Sequence, residues 1–126
     1  MVIAQKAIIK KDNKYLILFR SEHKQFAKLL WDFPGGKLDA GETLEEGVIR
    51  ELKEETNFDI KPIKIIMECD HGEGEGKYHF NFWSVEVLSD ELKLSYEHTD
   101  FKWATKEEIL ALPHVSHIDQ FLKNNK

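Results

Sequence analysis

A single cysteine, Cys69, occurs among the 126 residues. No intrachain disulfide can form, which excludes the small secreted scaffolds held by several bridges and makes a cytoplasmic address the expectation. Prolines number three and glycines seven, with no repeat and no Pro/Gly-rich linker, so one domain over residues 1–126 is expected. No apolar run approaches the roughly 20 residues of a membrane span, and the opening MVIAQKAIIK lacks the basic, apolar and small-residue order of a signal peptide. A membrane is therefore not an expected partner. Basic runs are also missing, and the net charge is −5. No polynucleotide partner is therefore expected, and a small anionic substrate would be accepted through bound metal and a few local Lys or Arg side chains.

What is present reads as alternating strands and helices. Val2 to Lys10 is rich in Ile, Val and Ala, Asp12-Asn13-Lys14 is turn chemistry, and Tyr15 to Arg20 is a second strand, so the chain opens with a hairpin. Leu29 to Phe33 is a short apolar run before Pro34-Gly35-Gly36, where two glycines let the backbone approach a ligand closely. Further on, Ile63, Ile65, Met67 and Cys69 alternate with Lys64, Ile66, Glu68 and Asp70, the period of a sheet strand, with Pro62 at its start. After the loop from His71 to Lys77, Tyr78 to Leu88 alternates again. Tyr78, Phe80 and Phe82 lie on one face, and Trp83, Val85 and Val87 partly on the other. Leu92 to Glu97 is weakly strand-like, and Asp100 to Ala104 is a short strand. Thr105 with Glu108 opens a helix through Leu112, and Ser116 starts a last one carrying Ile118, Phe121 and Leu122. His114 and His117 stand three apart but lack companion ligands, so no zinc site is expected.

The most informative stretch is Gly36 to Phe58, GKLDAGETLEEGVIRELKEETNF. Thr43 with Glu46 forms a capping box, and a helix follows to Thr56. At about 100° per residue with Glu51 at the origin, Glu54 falls near 300° and Glu55 near 40°, so the three carboxylates share a face. Leu44, Val48, Leu52 and Ile49 spread from about 20° to about 160° as the adjoining apolar stripe, while Arg50, Lys53 and Glu46 fall on the opposite, polar side. Like charges at these spacings cost a few tenths of a kcal/mol per pair. Beside a core the repulsion grows unless a cation sits among them, and hard divalent cations such as Mg2+ take carboxylate and carbonyl oxygens. The plain alternative for the acidic cluster by itself is a solvated helix face.

The spacing matches a known pattern. Gly36, five residues, Glu42, seven residues and then Arg50-Glu51-Leu52-Lys53-Glu54-Glu55-Thr56-Asn57-Phe58 resembles the Nudix box, G-x5-E-x7-R-E-U-x-E-E-x-G-U. One position departs: the late glycine is Asn57, which is the usual non-glycine residue able to end a helix in the left-handed conformation. The preceding Trp31-Asp32-Phe33-Pro34-Gly35-Gly36-Lys37 resembles the MutT-like subgroup. The resemblance implies an α+β fold, an α/β/α sandwich with a mixed β-sheet between helices. It implies Mg2+-dependent hydrolysis of a nucleoside diphosphate linked to another group, with Mn2+ able to substitute. Glu51, Glu54 and Glu55 would be metal ligands with the carbonyl of Gly36, and Glu42 would pair with Arg50 as structural support. Glu97 resembles a downstream glutamate that binds metal or acts as base, so either Glu54 or Glu97 would be the base. Arg20 and Lys37 would meet the substrate, their plain readings being a solvated strand-end cation and a loop lysine.

Three functions remain open on these residues. The first is hydrolysis of a nucleoside triphosphate to the monophosphate and pyrophosphate, by a monomer or homodimer. The second is attack on a nucleotide sugar, dinucleoside polyphosphate or other pyrophosphate; the proline expected beyond the box in ADP-ribose enzymes is absent, Glu73 standing near there. The third is a non-catalytic nucleotide-binding module, which usually loses box carboxylates that this chain retains.

Overall fold

In a computed structural model the described residues are 1–21, 29–72, 74–95 and 98–124. In chain order the elements are β1 (Val2–Ile8), β2 (Lys10–Lys11), β3 (Lys14–Arg20), β4 (Trp31–Asp32), β5 (Gly35–Lys37), α1 (Leu44–Thr56), β6 (Asp59–His71), β7 (Tyr78–Ser89), β8 (His98–Ala104), α2 (Lys106–Ala111) and α3 (Ser116–Asn124). A single turn of 3-10 helix, Gly74–Gly76, joins β6 to β7. Among the described residues no helix is long and apolar enough to cross a membrane.

The expected sheet between helices is present, divided in two. One sheet runs β5-β1-β7-β6 and is mixed, with β1 and β7 parallel and the other pairs antiparallel. The second is antiparallel and centres on β3, which pairs with β2, β4 and β8. The division falls at Ile9. Asp12 and Asn13 both take positive φ (50° and 67°), which suits a tight hairpin turn. The hairpin is short, pairing only Lys10 with Tyr15 and Lys11 with Lys14. The rest of the first apolar segment leaves its hairpin partner and lies parallel to β7, from Val2 against Tyr78 to Ile8 against Ser84.

Two apolar layers result. Val48 and Leu52 of α1 pack with Phe58, Ile60, Ala7, Ile9, Leu16, Leu18 and Trp83 on one side. On the other, Ile118, Phe121 and Leu122 of α3, with Ile109 of α2, pack with Ala4, Ile8, Tyr15, Ile17, Phe33, Phe80 and Phe82. Alternate residues of β1, β3 and β7 serve opposite layers, so these strands are apolar on both faces. The fold is α+β, with helices on both sides of the strands.

Three expectations need correcting. Ile65, Met67 and Cys69 do not share a face: Ile65 packs in the α1 layer, Met67 and Cys69 in the α3 layer. The pairing with β7 shifts register between Ile65 and Met67, and one inserted residue inverts every side chain beyond it. Pro62 lies inside β6, beside another register shift on an edge strand, where its missing donor breaks no required bond. Residues 92–95 form no strand. Instead Lys93 N donates to Thr56 O at 2.9 Å and Ser95 N to Glu55 O at 3.4 Å, serving carbonyls that the end of α1 leaves open.

The helix itself is as expected. Thr43 accepts from Glu46 N while the Glu46 carboxylate accepts from Thr43 N, completing the capping box. Asn57 closes the helix at φ 67°, its amide donating to Lys53 O and its side chain to Glu91 O at 2.9 Å. Ile49, at the outer edge of the stripe, is 40% exposed.

Candidate active site

The turn Pro34–Lys37 and the helix α1 meet through glycine. Gly35 has φ 141°, and a Cβ there would stand 1.9 Å from the carbonyl oxygen of Gln5, so only a bare backbone can run this close to β1. Its amide donates to Glu55 Oε1 at 2.6 Å. Gly36 pairs with Gln5 in the β1–β5 ladder, and its missing side chain leaves room for the carboxylate of Glu51. The angular order on α1 sets the exposure of the three glutamates. Glu55, between Leu44 and Val48 on the wheel, is buried; the Glu51 side chain is 14% exposed and that of Glu54 58%.

Arg50 links Glu51 and Glu54, against the expectation that it lies away from the acidic face. Its Nε and Nη2 hold Glu42 at 2.6 and 3.0 Å as a two-pronged pair, and Nη2 also donates to Lys37 O at 3.0 Å. Its Nη1 reaches Glu51 Oε1 at 3.0 Å and Glu54 at 3.2 Å. A backbone-based wheel places the Cα correctly but not the end of a guanidinium several bonds away. The Glu42 bond, the nearby Glu51 charge and Glu54 raise the Arg50 pKa well above its ordinary value, while the same bond lowers that of Glu42. Glu51 goes the other way. Burial pushes its carboxyl up, Glu54 adds to this, and Arg50 offsets only part. Among the described residues no three acidic, His or Cys side chains already stand in ligating geometry. The donor set nevertheless fits a hard cation: two carboxylates share one guanidinium nitrogen beside an uncrowded glycine backbone, and one of them is under-neutralised.

The other expected residues fall on either side. Lys37 Nζ lies 5.8 Å from the Tyr78 ring centroid, on the α3 face of the mixed sheet. Arg20 is not a solvated strand-end cation: Nη1 donates to Asp32 Oδ2 at 3.1 Å and its side chain is 13% exposed. Glu97 lies outside the described residues.

A second charged group was missed from sequence. Asp32, fully enclosed, accepts from Lys6 Nζ at 2.8 Å, from Arg20 and, at its other oxygen, from His117 at 2.7 Å. Burial would raise the Asp32 carboxyl, but Lys6, His117 and Arg20 together hold it far below the usual range; burial lowers His117. His117 also stacks on Phe80, centroids 4.1 Å apart. Trp31 positions α3 here, its amide donating to Pro113 O and its carbonyl accepting from Val115 N. A signal did exist: Gln5-Lys6 interrupts an otherwise apolar strand, and polar residues within a two-sided apolar strand require buried partners. The histidines His114 and His117 do not converge, since His114 pairs with Asp119 at 2.8 Å instead.

Comparison with known proteins adds the following. Residues 3–124 match the family model described as NUDIX domain. The CTP pyrophosphohydrolase of Escherichia coli (strain K12) is 28% identical over 113 residues, 90% of this chain and 82% of that protein. The ADP-ribose pyrophosphatase of Methanocaldococcus jannaschii is 33% identical over 93 residues, 72% of this chain but 54% of that protein. In the crystal structure of a MutT protein from Methanosarcina mazei Go1 the same fold recurs with a TM-score of 0.87 and 31% identity, over 97% of this chain and 90% of that one.

Proposed function

Because the chain belongs to the Nudix family and its MutT-like subgroup, and is thus a hydrolase of that family, we propose that it hydrolyses a nucleoside triphosphate to the monophosphate and pyrophosphate with Mg2+. The observation that carries this reading is the Glu51 carboxylate set against Gly36, sharing the Arg50 guanidinium with Glu54. Glu51, Glu54, Glu55 and the Gly36 carbonyl would hold the cation, with Glu97 as a further ligand or base. When bound, Mg2+ polarises a phosphoryl oxygen and lowers the pKa of water.

The chain's own groups do the rest. Arg50, braced by Glu42, keeps Glu51 and Glu54 aligned, and Glu55 ties the helix to Gly35. Glu54, the most exposed of the three, can accept a proton from water. Lys37, beside the Tyr78 ring, and Arg20, anchored by Asp32, would meet the substrate. A triphosphate is favoured by the relative named as a CTP pyrophosphohydrolase, whose match extends over most of both chains. The ADP-ribose relative supports a nucleotide sugar as second reading.

The test is release of pyrophosphate or phosphate from (d)NTPs, ADP-ribose, nucleotide sugars and dinucleoside polyphosphates, with and without Mg2+. Mg2+-dependent pyrophosphate release from a triphosphate, lost in Glu54→Gln, is expected. Unchanged turnover in Glu54→Gln would remove the site assignment, and turnover of nucleotide sugars alone would favour the second reading.

A further inference from the structure

On the α1 side of the mixed sheet, His79 of β7 lies between two acidic side chains of β6. Its Nδ1 is 2.6 Å from Asp70 Oδ1, and its Nε2 is 2.8 Å from Glu68 Oε1 and 3.1 Å from Asn81 Oδ1. The amide orientations follow from donor and acceptor logic. An indole N–H only donates, so the Gln5 atom that Trp83 Nε1 meets at 2.9 Å is the amide oxygen. The Gln5 amide nitrogen then donates to the carbonyl of Leu44, in the first turn of α1. Asn81 also meets the Gln5 oxygen, at 2.9 Å, and must do so with its nitrogen. That leaves the Asn81 oxygen facing His79.

His79 is thus surrounded by three acceptors. A neutral imidazole has one N–H and one lone pair, so in that state one nitrogen would press its lone pair against oxygen. The imidazolium satisfies all three contacts. Lys77 does not compete for the ring, pairing with the other oxygen of Asp70 at 3.0 Å, and β1 offers only the uncharged Gln5. Asp70 and Glu68 correspondingly raise the His79 pKa against a smaller opposing effect of burial.

The relay ends at α1 and the glycine turn. Gln5 is fully buried, lies opposite Gly36 in the β1–β5 ladder, and grips Leu44 of α1 through its side chain. We propose that cationic His79 is a positioning residue: through Asn81 and Gln5 it fixes the first turn of the carboxylate-bearing helix relative to Gly36. This rests on reading α1 and Gly36 as the catalytic elements. As pH rises through the His79 midpoint, Nε2 loses its hydrogen, Asn81 loses a donor, and the Gln5 contact with Leu44 loosens.

The experiment is an NMR titration of the His79 ring and the Trp83 indole N–H between about pH 5 and 9, paired with kinetics using Mg2+ and CTP as probe. His79→Gln removes the charge, and His79→Lys restores a cation with donors for the same oxygens. The His79 midpoint is expected above the ordinary value of about 6.5, with the Trp83 signal following it in the wild type and staying still in His79→Gln. The wild-type kcat, relative to that of His79→Lys, should fall about tenfold across that midpoint, as for loss of a supporting hydrogen bond, with KM unchanged. His79→Gln should sit at the lower level throughout. A midpoint at or below 6.5, a Trp83 signal indifferent to His79, or equal kcat in the Gln and Lys variants would each overturn the proposal. Absence of CTP turnover in every protein would count against the triphosphate reading, while the relay would still stand or fall on the Trp83 signal.

Discussion

A Cβ on residue 36 would lie 2.5 Å from Oε2 of Glu51. A Cβ does not approach a non-bonded oxygen that closely, so glycine at 36 and an inward carboxylate at 51 are one structural decision. Gly36→Ala must displace the carboxylate or the turn. A misplacement of about 1 Å can cost on the order of 100-fold in rate, so kcat should fall by about that much. The variant should still fold, since Gly36 pairs with Gln5 through backbone atoms alone. Steady-state kinetics with circular dichroism checks both.

Arg50→Lys should lower kcat about tenfold, in the manner of partners that orient ligating groups. Lysine keeps the charge but cannot hold Glu42 with two nitrogens while a third reaches Glu51 and Glu54. The thermal midpoint should hardly move, because partly exposed ion pairs contribute little to stability. Kinetics and thermal denaturation of one preparation separate the two effects.

Stability should fall as the solution is acidified, for a definite reason. His117 is lowered by burial, so the unfolded chain binds a proton near pH 6.5 that the folded chain does not, and stability drops below that point. Asp32 is lowered by its cationic partners, and its contribution, complete above about pH 4, is lost on further acidification. His79 and His114 act oppositely, their contributions being lost as pH rises through their raised values. Urea unfolding as a function of pH should therefore show a maximum, with the acid limb starting near neutrality. Lys6→Met should cost about 3–5 kcal/mol at that maximum, since it leaves Asp32 with less than its full set of partners.

Asn57→Ala should destabilise the protein by about 1–2 kcal/mol, because alanine keeps the Cβ in the left-handed region but lacks the polar side chain that lets asparagine tolerate it and that donates to Glu91 O. Asn57→Gly should be closer to neutral, because relief of the Cβ strain at positive φ offsets loss of the bond to Glu91 O. Denaturant unfolding measures both, and neither variant should alter kcat, as Asn57 ends the helix beyond the carboxylates.

The elements legible in advance were those set by neighbours in the chain. The capping boxes Thr43–Glu46 and Thr105–Glu108 both form, and Tyr78–Ser89 carries aromatic residues on both faces as its alternation implied. The register shift after Ile65 was not legible, because a bulge is set by the partner strand. The role of Asp32 is not legible in its motif, since its partners Arg20, Lys6 and His117 stand 12, 26 and 85 residues away.

The sequence by itself determined the carboxylate helix, its cap, its left-handed end at Asn57 and the glycine turn ahead of it. Each depends on spacings of a few residues and on local backbone sterics. Only the tertiary structure decided that β1 leaves its hairpin to lie beside β7. That exchange brings Gln5 opposite Gly36, Lys6 onto Asp32 and, through Asn81, His79 within reach of α1. Such contacts depend on which strands share a sheet, and strand pairing is settled by the burial of both faces together rather than by any segment alone.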